Sequence, residues 1–122
     1  QIIGISIARK NPRGRQVVLD SVLDYTQSRN LNFDDLDSVQ FVDDYVLDGY
    51  GSYNSEVLDV IGRTFLSDGI PLDTTYTGKA FWGMRSYIKK HGIRDKNILF
   101  IHTGGTPLFF DDLGELVNDS ES

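Results

Sequence analysis

Three short apolar runs, Ile2 to Ala8, Val39 to Val42 and Ile98 to Ile101, are set apart by stretches whose apolar residues recur at helical spacing. Strands joined through helices pair in parallel, because a crossover long enough to hold a helix returns the chain in the same direction. Ile2 to Ala8 is almost unbroken in its hydrophobicity, which predicts a strand buried on both faces. Between the runs, Val18, Val22 and Tyr25 predict a helix over Gln16 to about Ser28. Val57, Ile61 and Phe65 predict one over Ser55 to Ser67, capped by Asn54 or Ser55. Phe81, Met84, Tyr87 and Ile88 predict a third, opened by Thr77 or Gly78, carrying Lys89 and Lys90 in its last turn and stopped at Gly92. Asn30 to Asp37 reads as a polar loop, and Asp111 to Ser122 as a polar, frayed tail. The expected fold is α/β, a mostly parallel sheet flanked by helices, with residues 1–122 as one domain.

Gln1 leads directly into the first apolar run without a start methionine, so the chain is expected to be a piece of a longer protein. Asp and Glu number 18 against 12 Lys and Arg, a net charge of -6, and the acidic residues are dispersed. That balance speaks against a nucleic-acid surface, which needs clustered cations. There is no cysteine, which excludes disulfides and thiolate chemistry and agrees with a cytoplasmic setting. No apolar run is long enough to span a bilayer.

In parallel sheets ligands sit beyond the carboxyl ends of the strands. That places three segments in view. Tyr76-Thr77-Gly78-Lys79 joins a phenol, a hydroxyl and an amine at a loop-to-helix junction; spacing alone favours a plain cap by Thr77, with Lys79 in solvent. His102-Thr103-Gly104-Gly105 follows the third apolar run, where paired glycines let a flat ligand approach the backbone or simply make a turn. Gly49-Tyr50-Gly51 brackets a tyrosine, and packing is the commoner reason for that pattern. His91 reads as a helix-end residue and His102 as a satisfied strand-end residue. The aspartate pairs at 34-35, 43-44 and 111-112 have neither calcium nor zinc spacing, so no metal site is expected.

Taken in order, Asp43-Asp44-Tyr45, Gly49-Tyr50-Gly51, Leu72 to Ala80 and Ile98 to Gly105 resemble the pyridoxal-phosphate (PLP) dependent D-cysteine desulfhydrase and aminocyclopropanecarboxylate deaminase family. The opening Ile2 to Arg9 also looks like that family's strand after its phosphate loop, and the likeness runs from Gln1 to about Phe109. It implies part of the large domain of a fold-type-II, tryptophan-synthase-like PLP enzyme. It implies that the cofactor-bonding lysine and the glycine-rich phosphate loop lie upstream, with Lys79 matching a non-catalytic position. By the same resemblance Tyr76 and Tyr50 are expected to be catalytic, and Thr77, Thr103 and Gly104 to face PLP, Thr77 at the pyridine nitrogen. The expected partners are a small amino-acid substrate, the N-terminal part of the same enzyme and a second copy in a homodimer.

Deaminases of that family carry glutamate where this chain has Thr77. A carboxylate there keeps the ring nitrogen protonated; a hydroxyl does not, which points to β-elimination from an amino acid such as D-cysteine. The chain departs from the family pattern at Thr74-Thr75, where a proline-valine-like pair is usual, and at Thr106 to Phe110, which is bulkier. The alternatives are an aminocyclopropanecarboxylate deaminase-like enzyme and a standalone α/β binding module without catalysis.

Overall fold

Strand β1 (Ile2–Ile5) and strand β2 (Val39–Val42) pair in parallel, Ile2 beside Val39 and Ile5 beside Val42. The Ser6 amide extends the ladder by donating to the Val42 carbonyl at 2.8 Å. The computed structural model describes residues 1–118. Helix α1 (Arg13–Ser28) makes the crossover between the strands. The parallel α/β arrangement expected from the spacing of the apolar runs is the one observed. A one-turn 3-10 helix, Leu36–Ser38, closes the loop ahead of β2.

Helix α2 (Ser55–Asp68) begins where Asn54 accepts from the Val57 amide at 3.0 Å and ends at Gly69, whose φ of 67° suits a residue without Cβ. Helix α3 (Thr77–Lys90) runs to His91, with Gly92 at φ 59° just beyond it. Gly83 lets α3 lie directly on β1, since a Cβ there would come within 2.7 Å of Ile5 and 3.1 Å of Tyr45. Val57 and Ile61 of α2 pack with Leu72 and Phe109 in the core, and Leu47, Phe81, Trp82, Phe100 and Leu116 close around them. No described helix is long and apolar enough to cross a membrane.

Three expectations need correction. β1 is four residues long and alternates exposed and half-buried positions, because among the described residues one strand flanks it; it is not buried on both faces. Ile98 to Ile101 is not a strand. Among the described residues it has no strand beside it, and Leu99 and Ile101 are 86% and 72% exposed. Only Phe100 turns inward, edge-on to Phe81 at 5.1 Å. The supposed tail is helix α4 (Thr106–Asn118). Phe109 is fully buried in it, 4.8 Å from the Phe65 ring, and Leu116 meets the core, so its apolar face outweighs its acidic residues. Residues 119–122 of that predicted tail lie outside the described residues.

Candidate functional site

The site grows out of one buried carboxylate. Asp73 is fully buried and sits just ahead of α3. One of its oxygens accepts from the Thr75 amide at 2.9 Å and the Tyr76 amide at 2.7 Å. The other accepts from the Thr77 amide at 2.9 Å and the Thr77 hydroxyl at 2.7 Å. Asp73 therefore holds the start of α3, satisfying its first amide, that of Thr77, and those of the two residues before it, and placing negative charge at its positive end. The capping expected of Thr77 falls to Asp73 instead. Thr77 is buried, its proton is committed to Asp73, and its oxygen accepts from the Asp73 amide at 3.1 Å. A hydroxyl has one donor and two lone pairs, so a single lone pair is left.

Gly78 and Gly105 allow the chain to close tightly here. A Cβ on Gly78 would strike the Asp73 carbonyl and lie 2.6 Å from the Ile61 side chain. A Cβ on Gly105 would strike the Asp73 carboxylate. Gly104 and Gly105 have φ of 120° and 84°, conformations that favour glycine. His102 steadies this turn: its Nδ1 accepts from the Gly104 amide at 3.2 Å, which leaves Nε2 to donate to the Pro71 carbonyl at 2.9 Å. His102 is thus satisfied, as expected, although not at a strand end. Thr103 and Gly104 are exposed at the outer rim of the turn.

Tyr50 and Tyr76 share a short hydrogen bond between their hydroxyls, and their rings meet edge-on at 5.8 Å. Tyr50 is 67% and Tyr76 39% exposed, so the pair faces outward. The bond to Tyr50 pushes the Tyr76 phenol above its ordinary value, with burial and the neighbouring Asp73 charge adding to it. Tyr76 is a proton holder at neutral pH.

Lys79 corrects another expectation. It is not in solvent but wholly buried, and its amine donates to the Gly49 carbonyl at 2.7 Å and to Ser52 at 3.2 Å. Burial lowers its pKa, partly offset by Asp48. The loop that carries Tyr50 is thereby tied to α3, the helix that Tyr76 precedes.

The structure brings Tyr76 and Thr77 together on Asp73, with Gly105 against the same carboxylate, and Tyr50 joins them through the Tyr76 hydroxyl. Sequence reasoning missed Asp73, Asp112 and Glu115. Asp73 lies four residues before Thr77, the first helical residue, and the helix start was assigned to Thr77 itself. Asp112 accepts from the Thr74 hydroxyl at 2.8 Å and the Thr74 amide at 3.3 Å, and Glu115 accepts from the Tyr53 hydroxyl. Both acids lie on α4, so reading that segment as a tail concealed them.

The chain is 36% identical over 111 residues to a D-cysteine desulfhydrase of Yersinia enterocolitica and 33% identical over 116 residues to one of Serratia proteamaculans. Each alignment covers 90% of the chain. The chain resembles D-cysteine desulfhydrases along most of its length. It spans about a third of these curated relatives (33% of each). The same fold recurs in a solved structure described as an ACC deaminase homologue, with a TM-score of 0.81 and 28% identity, over 95% of this chain and 34% of that one. No family model matches. D-cysteine desulfhydrases are enzymes, and relatives of both kinds agree with the family likeness expected from the motifs around Tyr50, Tyr76 and His102.

Proposed function

We propose that the chain is the C-terminal part of a PLP-dependent lyase, and that the parent enzyme eliminates sulfide from a small amino acid such as D-cysteine, giving pyruvate, sulfide and ammonia. The closure of Tyr76, Thr77 and Gly105 on Asp73, with Tyr50 bonded to Tyr76, is the observation that carries this reading. The D-cysteine desulfhydrase relatives supply the substrate class.

The donor set fits the ring of PLP. Two phenols, one hydroxyl lone pair and an open glycine turn suit the edge and face of a flat heteroaromatic. Lys79 does not fit the covalent bond, since its buried amine is already held by Gly49 and Ser52. The bonding lysine and the phosphate loop are therefore assigned to the part of the relatives that this chain does not span. Bound PLP supplies a conjugated ring that accepts the electron pair left when the substrate Cα–H bond breaks.

The chain's own residues orient the ligands and manage protons. Tyr76, holding its proton, donates from its hydroxyl to a departing sulfur or a substrate carboxylate, and Tyr50 fixes the direction of that hydroxyl. Thr77 offers only a lone pair, so a ring nitrogen meeting it has to bring the hydrogen, with the Asp73 charge one hydrogen bond behind. The expectation of an unprotonated ring rested on an isolated hydroxyl, and Thr77 is not isolated. Thr103 and Gly104 form the wall beside the ring. Homodimerisation of the parent and a cytoplasmic location belong to the same proposal.

The test is the full-length protein with D-cysteine, scored for sulfide and pyruvate together. Both products are expected, and Tyr76→Phe should lower their rate by about 100-fold or more, the usual scale for a lost proton donor. Ammonia from aminocyclopropanecarboxylate without sulfide from D-cysteine would favour the deaminase-like alternative. No turnover of either would leave the binding-module reading. The 122-residue chain treated with PLP and borohydride should stay unmodified by mass; a stoichiometric adduct on Lys79 would refute the assignment of the bonding lysine elsewhere.

A further inference from the structure

Lys79 is a buried cation for which the proposed chemistry has no direct use. It is the third residue of α3, and its amine reaches across to the loop between β2 and α2. Among the described residues no carboxylate is bonded to it. Its partners are the Gly49 carbonyl and the Ser52 hydroxyl, and Asp48 is the acidic residue that acts on it through space. Burying an amine against neutral acceptors is costly, so such an arrangement persists where it fixes something.

What it fixes is adjacent to Tyr50. The Gly49 carbonyl receives three donors: the Ser52 amide at 3.2 Å, the Ser52 hydroxyl at 2.6 Å and the Lys79 amine at 2.7 Å. The first two close the loop on itself. The third joins it to the helix that starts immediately after Tyr76. Gly49 and Gly51, at φ 117° and 77°, bend the backbone on either side of Tyr50 so that its ring projects outward. The loop is also held by the Tyr50–Tyr76 and Tyr53–Glu115 bonds, and the Lys79 amine is the contact that ties it to α3 at Gly49, directly beside Tyr50.

We infer that Lys79 is a positioning residue that clamps the Tyr50 loop onto α3 and so holds the Tyr50 hydroxyl against the Tyr76 hydroxyl. It acts through the loop and touches neither phenol. The importance of the pair rests on the function proposed above, but the clamp itself is tested without cofactor or substrate, so either idea can fail alone.

The experiment uses the full chain with 13C-labelled tyrosine, observed by NMR, as Lys79→Met and as Ser52→Ala. Methionine keeps the apolar stem and removes the amine, while the two Ser52 bonds still satisfy the Gly49 carbonyl. In Lys79→Met the ring-to-ring cross-peaks between Tyr50 and Tyr76 should disappear. The Tyr76 ionisation should fall towards the ordinary phenol value, because its bond to Tyr50 is the main cause of its elevation. The sign is diagnostic: removing a nearby cation without moving the loop would raise a phenol's pKa, not lower it. Ser52→Ala should move both readouts the same way by less, and it decides the matter if the methionine variant does not fold. Persistent cross-peaks and an unchanged or raised Tyr76 ionisation, even with a lowered melting point, would overturn the inference.

Discussion

Replacing Asp73 by asparagine should cost the fold several kcal/mol, despite the near-identical shape. The carboxylate accepts from four donors, two on each oxygen. An amide has one acceptor oxygen, so in either orientation its NH2 faces two donors. Placed on one side it opposes the Thr75 and Tyr76 amides; on the other, the Thr77 amide and hydroxyl. Two hydrogen bonds to a charged group are lost, at about 1.5–3 kcal/mol each. The charge at the start of α3 is lost too, worth about 0.3–2 kcal/mol. The sum is about 3–8 kcal/mol, a large part of the roughly 5–15 kcal/mol that holds a domain together. Urea unfolding followed by far-UV circular dichroism measures it, and the melting point should fall by at least about 10 °C. Thr77→Ser, which keeps the hydroxyl, is the control and should lose much less. An Asp73→Asn protein within about 1 kcal/mol of wild type would refute the view that this carboxylate organises the site.

Thr77→Val removes the donor to Asp73 and the acceptor for the Asp73 amide at nearly constant volume; a loss of about 2–4 kcal/mol is expected in the same unfolding assay, more than a surface cap would cost. Gly105→Ala should lose about 2 kcal/mol from positive φ and the clash with Asp73 combined, and an unaffected melting point would mean that the turn does not press on that carboxylate. Tyr76 is elevated in the folded chain above the ordinary 10.0, so its contribution to stability is present below pH 10 and lost as pH rises through the folded value. Lys79 runs the other way, since its folded value lies below the ordinary 10.5 and its contribution improves with pH between the two. Tyr50→Phe removes the first effect and spares the second, so the fall in urea midpoint from about pH 9 to about pH 11 should be smaller than in wild type or turn into a rise. A steeper alkaline loss would contradict the hydrogen bond as the cause.

Elements governed by local rules were legible without the structure. α2 has its cap at Asn54, its apolar face at Val57 and Ile61 and its stop at Gly69, all within a short window of sequence. The β1-α1-β2 crossover follows from two apolar runs with a helical segment between them. The grouping of Tyr50, Tyr76 and Thr77 was reached through family likeness, not from spacing. Ile98 to Ile101 and α4 were misread because their state depends on neighbours. A strand exists only beside another strand, and an acidic segment becomes a docked helix only where Phe109 and Leu116 find a core. The same holds for Asp73 and Lys79. An aspartate and a lysine in a loop-to-helix junction are ordinarily solvated, and nothing in their own sequence says otherwise. Burial is set by what folds over a residue from elsewhere: here the Gly105 turn closes on Asp73, and the Gly49–Ser52 loop receives the Lys79 amine. The chain by itself determined which segments are helical and which residue types are present; only tertiary packing decided which charges lose their water, and hence which residues organise the site.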